Sequence, residues 1–352
     1  MLSFVHGGNI YDREIDLDLS VSLNPLGMPE GLRDALIFSV SKADRYPEPQ
    51  SRSLSKMAGE IFNIPPQCII FGGGASELIM ALSKGLSAKK ALLPVPCFTG
   101  YIYALKNGCE DCEIVFYRLK EENGFLLDCG IIDTIEKERP GIIFLTNPNN
   151  PNGAVIESSL LSDIISVCEK TKTELVMDEC FLPFTGRDDS ESYLKRLSGK
   201  RYVTVLRSFT KTFSIPGVRI GYIAASCEET ADKVRRNLPE WNISTFAWEA
   251  ARYCLKNLSY ETKANPLIEK ERRFLAESLK ILGFKVYPSH CNFLLFKETE
   301  NRPLSPLDKG ILIRDCENVP GLSKGFYRIS VKTHEENMRF LEALSSGTSH
   351  LK

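Results

Sequence analysis

The sequence predicts an α/β protein: a large domain built on a mostly parallel sheet, followed by a smaller α+β domain. Two observations carry this. Between residues 68 and 226, apolar β-branched runs alternate with helical periods. After about residue 228 the texture changes to long charged helical patterns and a few short strands.

Taken in order, the chain opens with a segment rich in Gly, Asn and Pro up to Pro29, read as an extended arm. Seven strand-like runs follow: Cys68–Phe71, Ala91–Val95, Glu113–Tyr117, Ile142–Leu145, Glu174–Met177, Tyr202–Leu206 and Ile220–Ala225. Continuous apolar runs bounded by loops suit strands covered on both faces. Between the first two, Leu78, Ile79, Leu82 and Leu86 mark one face of a helix over Ser76–Leu86. Later come a helix over Leu267–Leu282 and strands at Asn292–Phe296, Gly310–Ile313 and Tyr327–Val331. Thr333-His-Glu-Glu336 reads as a capping box opening the last helix. We divide the chain into an arm and part of the small domain (1–40), a large domain (41–240) and a C-terminal small domain (241–352).

Bulk properties narrow the function. The net charge of -1 gives no case for nucleic acid or an acidic membrane surface as partner. No apolar run approaches a membrane span, and Met1–His6 lacks the pattern of a secretory signal, so a cytoplasmic location is expected. The 11 cysteines are an odd number and scattered, most of them in apolar strand-like runs such as those at Cys68, Cys180 and Cys291. That is reduced, intracellular usage. The close pair Cys109 and Cys112 has no second pair or histidines nearby, and no metal site is expected.

The chemistry concentrates just after the strands, where an open α/β sheet binds its ligands. Ser208-Phe-Thr-Lys-Thr-Phe-Ser-Ile-Pro-Gly-Val-Arg-Ile-Gly-Tyr222 sets Lys211 among small hydroxylated residues, with Arg219 eight positions on. An amine beside an anion site suggests a Schiff-base lysine, and the commonest carbonyl partner is pyridoxal 5'-phosphate, PLP. A surface lysine after a strand is the plain alternative. Phe71-Gly-Gly-Gly-Ala-Ser76 opens a helix and offers unpaired N–H groups to a phosphate, or is simply a glycine turn. The dinucleotide fingerprint fails there, because Glu77 occupies its last glycine position. In Thr146-Asn-Pro-Asn-Asn-Pro-Asn-Gly153, local Asn bonds and Pro make rigid turns that can aim Asn150 at a ligand. Asp178 ends an apolar strand, where a carboxylate could keep a pyridinium charged. Phe98 follows another strand and could stack on a flat ring or belong to the core. Arg314 and Arg328 interrupt apolar strands, so each pairs with an internal acid or grips a bidentate anion.

These motifs together, in this order, resemble the fold-type I PLP enzymes of the class I/II aminotransferase family, over nearly the whole chain. The resemblance implies a seven-stranded, mostly parallel large-domain sheet. It implies that Lys211 forms the imine and later moves the proton, that Asp178 pairs with the ring nitrogen, and that Asn150 bonds the ring oxygen. Phe98 would stack on the ring. Gly74, Ala75, Ser76, Ser208, Thr210 and Arg219 would hold the cofactor phosphate. Tyr46 would reach that phosphate from a neighbouring subunit, implying a homodimer with shared sites. Arg328 would hold a substrate carboxylate, with Asn24 nearby. One departure stands out: many relatives carry Tyr three residues after the aspartate, and here that residue is Phe181.

Two subfamilies fit, threonine-phosphate decarboxylases and histidinol-phosphate aminotransferases. His6-Gly-Gly-Asn9, Ser22-Leu-Asn-Pro-Leu-Gly-Met-Pro29 and the segment from Arg314 to Arg328 resemble the first. His6, Asn24, Arg314 and Arg328 are then the candidates to grip a small phosphorylated amino-acid substrate, with which anion on which arginine left open. A non-catalytic PLP-binding regulator is a third reading. It would carry a DNA-binding domain, for which the chain ends are not expected to leave room.

Overall fold

The structure is a computed structural model, and it describes residues 6–12, 14–187, 191–304 and 310–346. The first five residues of the arm, part of the opening read above, lie outside that range. Thirteen strands follow in chain order: β1 (Leu17–Asp18), β2 (Ile69–Gly72), β3 (Lys90–Val95), β4 (Glu113–Arg118), β5 (Ile142–Thr146), β6 (Glu174–Asp178), β7 (Val203–Ser208), β8 (Gly221–Ala225), β9 (Lys285–Val286), β10 (Phe293–Lys297), β11 (Ile311–Leu312), β12 (Arg314–Asp315) and β13 (Phe326–Ser330).

The large sheet has seven strands in the order β2-β8-β7-β6-β5-β3-β4. All neighbours are parallel except β8, which runs antiparallel to both β2 and β7. Successive side chains of a strand point to opposite faces, and here both faces are apolar. Leu145, Met177 and Val205 join the core on one side, and Phe144, Val176 and Leu206 join the core on the other. That is why these strands read as continuous apolar runs rather than alternating ones.

Three cysteines depart from the sequence reading. Cys68, Cys180 and Cys291 flank strands rather than lie in them, although all three are buried free thiols. At Cys68 the cause is Pro66, whose fixed φ starts a short 3-10 turn over Pro66–Cys68, so that β2 begins one residue later.

The second sheet is antiparallel, in the order β12-β13-β10-β9, and it sets Arg314 directly opposite Arg328. The arm is stitched to this part of the chain. β1 pairs in parallel with β11, and the Ser330 N–H donates to the Leu19 carbonyl at 2.8 Å. The last helix, His334–Ser346, starts on a reciprocal cap: the Thr333 N–H and hydroxyl donate to Glu336 Oε2, and the Glu336 N–H donates back to Thr333 Oγ1. Among the described residues, no helix is long and apolar enough to cross a membrane.

Candidate active site

A cavity of about 270 Å³ opens at the carboxyl ends of β3, β5, β6 and β7. Twelve of the residues singled out in the sequence line it: His6, Ala75, Ser76, Phe98, Asn150, Asp178, Ser208, Thr210, Lys211, Arg219, Arg314 and Arg328. Phe181 lines it as well.

Lys211 sits in the four-residue helix Phe209–Thr212 at the end of β7. Burial, reinforced by the Arg328 charge, pushes its amine down to about 8. An amine with so low a pKa is neutral, and so nucleophilic, far more often near pH 7 than an exposed lysine. Beside it, Ser208 caps its own helix by accepting from the Thr210 N–H at 3.2 Å, and the two hydroxyls lie 2.7 Å apart.

The other wall of this pocket is the start of the helix Ala75–Leu86. Gly74 precedes it with φ 84° and ψ 173°, a backbone essentially reserved for glycine. A Cβ there would lie 2.5 Å from Arg219 Nη2. Helix N–H groups, two hydroxyls and a guanidinium thus converge, a set of donors suited to a phosphate.

Asp178 is the last residue of β6 and is buried. Its Oδ1 accepts from the Cys180 N–H at 2.9 Å, and its Oδ2 accepts from the Tyr101 hydroxyl at 2.7 Å. Burial pushes its carboxyl up, and the bonds from Cys180 and Tyr101 pull it back. Tyr101 was missed in the sequence. It is fully buried, stacks on Phe144 and meets Phe98 edge-on at 5.5 Å. Its hydroxyl also lies 2.8 Å from Thr146 Oγ1, and Thr146 pairs in register with Asp178 across β5 and β6. A tyrosine three residues after Phe98 was the available signal, but it lies in the helix Gly100–Gly108, and only the tertiary packing of that helix on the end of β6 reveals its partner.

The Asn-Pro loop works as its composition suggests. Asn147 Oδ1 accepts from the Ile156 N–H, Asn149 Nδ2 donates to the Pro96 carbonyl, and Asn152 Nδ2 donates to the Gly124 and Phe125 carbonyls. Asn150 instead lines the cavity, and its Oδ1 accepts from Arg328 Nη1 at 2.6 Å. A guanidinium only donates, so this bond fixes the amide with its NH₂ available to an acceptor in the cavity. Phe181 meets Phe293 edge-on at 5.1 Å and brings no hydroxyl.

Arg314 and Arg328 face each other across β12 and β13, an unfavourable placement for like charges. Arg328 donates to Asn150 and to the Ser20 carbonyl, and Arg314 donates to Asn318. Among the described residues neither arginine has a carboxylate within ion-pair distance, and Arg328 Nε is buried without an acceptor. Among the described residues, the internal salt bridge weighed for each in the sequence is therefore not formed. His6 completes this end. Its ring lies 5.5 Å from that of Phe98, Nδ1 is 3.5 Å from Thr99 Oγ1, and burial and then Arg314 push its pKa down. The arm can lie this close because Gly7 has no Cβ, which would come within 2.4 Å of the Ser20 carbonyl.

The chain matches the family described as Aminotransferase class I and II over residues 14–344. It is 31% identical to threonine-phosphate decarboxylase of Salmonella typhimurium, over 98% of this chain and 96% of that protein. The chain belongs to the class I and II aminotransferase family. It is also 35% identical to histidinol-phosphate aminotransferase 2 of Archaeoglobus fulgidus, over 95% of this chain and 93% of that protein. Among solved structures, the histidinol-phosphate aminotransferase of Clostridium acetobutylicum superposes with a TM-score of 0.86 at 31% identity, covering 95% of this chain and 99% of that one.

Members of this aminotransferase family depend on PLP, and the residues present fit it. The cradle at Gly74 that a Cβ would fill, the hydroxyls of Ser208 and Thr210, and Arg219 suit its phosphate. Two residues named in the sequence stand elsewhere. Tyr46 is 80% exposed and packs on Trp241 rather than lining this cavity. Asn24 is buried and also absent from the lining, because its amide is turned to the backbone: Nδ2 donates to the Thr212 carbonyl at 2.9 Å and Oδ1 accepts from the Leu26 N–H at 2.9 Å.

Proposed function

We propose that the protein is a PLP-dependent decarboxylase of L-threonine O-3-phosphate, giving (R)-1-aminopropan-2-ol phosphate for cobalamin biosynthesis. The observation that carries this reading is the pair Arg314 and Arg328, face to face at the cavity and, among the described residues, without carboxylate partners. A substrate bearing both a phosphate and a carboxylate offers each arginine an anion. The identity to the Salmonella decarboxylase points the same way.

PLP bound on Lys211 supplies an electron sink for the pair left when a bond at the substrate Cα breaks. The chain's own residues do the rest. Asp178, fixed by Tyr101 and Cys180, would accept from the ring nitrogen and keep it protonated. Asn150 would donate its NH₂ to the ring oxygen, and Phe98 would cover one ring face. Arg314 and Arg328 hold the two anions so that the Cα–carboxylate bond, rather than Cα–H, stands in the breaking position. The carboxylate leaves as CO₂, and Lys211 returns one proton to Cα. His6, on the arm, closes over the phosphate.

Two copies share the sites in this reading. Tyr46 would reach the phosphate pocket of a second copy, and its exposed neighbours Ile37, Phe38, Val40 and Trp241 supply an apolar face for that copy to cover.

The test is to offer threonine phosphate alone, and histidinol phosphate with 2-oxoglutarate. Release of CO₂ from the first is expected. Glutamate formed from the second, with no CO₂ from the first, makes the protein an aminotransferase, the reading favoured by its likeness to the Archaeoglobus and Clostridium proteins.

A further inference from the structure

The helix that carries Lys211 is a single turn, Phe209–Thr212. One turn does not hold itself, and its last carbonyls have no partner within the helix. Just past the helix the Ser214 N–H donates to the Lys211 carbonyl at 3.3 Å, and further donors come from a residue nearly two hundred positions earlier. The Asn24 N–H donates to the Lys211 carbonyl at 3.0 Å, and Asn24 Nδ2 donates to the Thr212 carbonyl at 2.9 Å. The Ser214 hydroxyl donates back to the Asn24 carbonyl at 2.9 Å. Three bonds thus join one residue of the arm to the turn that aims the lysine.

The segment around Asn24 is itself anchored. Asn292 Nδ2 donates to the Leu23 carbonyl at 3.1 Å, and Arg328 Nη2 donates to the Ser20 carbonyl at 2.8 Å. Residues 20–24 therefore form a strap fixed at one end by a cavity arginine and at the other by the lysine turn. The Asn24 amide cannot turn to the cavity without leaving the buried Thr212 carbonyl unpaired.

We propose that Asn24 is a positioning residue that caps the Lys211 turn and sets where the lysine amine stands relative to Arg328. This rests on the reading of Lys211 as the imine-forming and proton-carrying lysine. A small displacement of such a group costs up to about 100-fold in rate. Substrate binding, by contrast, does not involve Asn24.

The experiment uses the PLP-loaded protein and the variants Asn24→Asp, Asn24→Ala and Ser214→Ala. N24D keeps the acceptor for Leu26 but replaces the donor to Thr212 by a second oxygen. We expect kcat to fall roughly 10- to 100-fold with KM changed by no more than about twofold. The pH midpoint of the cofactor's visible absorbance should move, and hydrogen exchange should quicken at the amides of residues 213–215. S214A, which removes one bond at a half-buried position, should shift the same readouts less and in the same direction, and it stands in if the Asn24 variants do not fold. A raised KM at unchanged kcat would make Asn24 a substrate ligand and overturn the proposal. A lowered Tm with kcat, absorbance midpoint and exchange at 213–215 unchanged would overturn it too. A wild-type protein that takes up no PLP defeats the proposed function instead, while exchange at 213–215 still tests the cap.

Discussion

Gly74→Ala is the sharpest single probe of the phosphate pocket, because it perturbs two things that can be measured apart. The backbone at Gly74 has φ 84° and ψ 173°, a region in which a side chain strains the chain by about 1–3 kcal/mol. That strain is present with or without cofactor, so it lowers Tm in both forms. The added Cβ also stands 2.5 Å from Arg219 Nη2. The guanidinium is the mobile partner and gives way, which would take it off a phosphate bound in this pocket. A hydrogen bond to a charged group contributes about 1.5–3 kcal/mol, so PLP affinity should fall roughly 10- to 100-fold. Equilibrium dialysis followed by cofactor absorbance reads the affinity, and calorimetry reads the Tm. Arg219→Ala should lose similar affinity without the backbone strain, and the double variant should lose little more than R219A alone. Wild-type PLP affinity in G74A, or affinity losses that simply add, would refute the reasoning.

Three further outcomes follow from particular contacts. Tyr101→Phe removes a hydrogen bond that lowers the Asp178 carboxyl, so the acid limb of the pH–rate profile should move to higher pH and kcat should fall about tenfold; an unmoved limb would show that Tyr101 does not hold Asp178. His6→Ala should raise KM about tenfold for phosphorylated substrates and leave non-phosphorylated amino acids unaffected, as steady-state kinetics on both classes would reveal. Glu174, buried at the start of β6 with the Thr204 and Thr230 hydroxyls donating to its oxygens, is pushed by burial from 4.5 to about 7. The folded state then keeps a proton that the unfolded chain releases, so the contribution of Glu174 to stability is greatest below pH 4.5 and is lost as pH rises through 7. Glu174→Gln should flatten that decline, worth about 3 kcal/mol, in denaturant titrations across this window; an unchanged slope would remove Glu174 as its cause.

The sequence by itself determined the sheet and the identity of the pocket. Buried parallel strands must be apolar on both faces, so runs such as Ile142–Leu145 and Tyr202–Leu206 could be read directly. Lys211, Asp178 and Asn150, which line one cavity, stand at or just after the ends of those strands, so they were legible as local motifs. Even the cap at Thr333 depends on residues three apart, and it stands as expected. What escaped was every relation set by register or by a distant segment. The partner of Asp178, at the end of β6, is Tyr101, 77 positions away in the helix Gly100–Gly108 that follows β3. The opposition of Arg314 and Arg328 exists only once β12 pairs with β13. Asn24 looked like a substrate ligand by its motif, yet its amide caps a helix turn 188 positions on. Local patterns record what a residue can do, whereas burial and long-range hydrogen bonding decide which of its possible partners it meets.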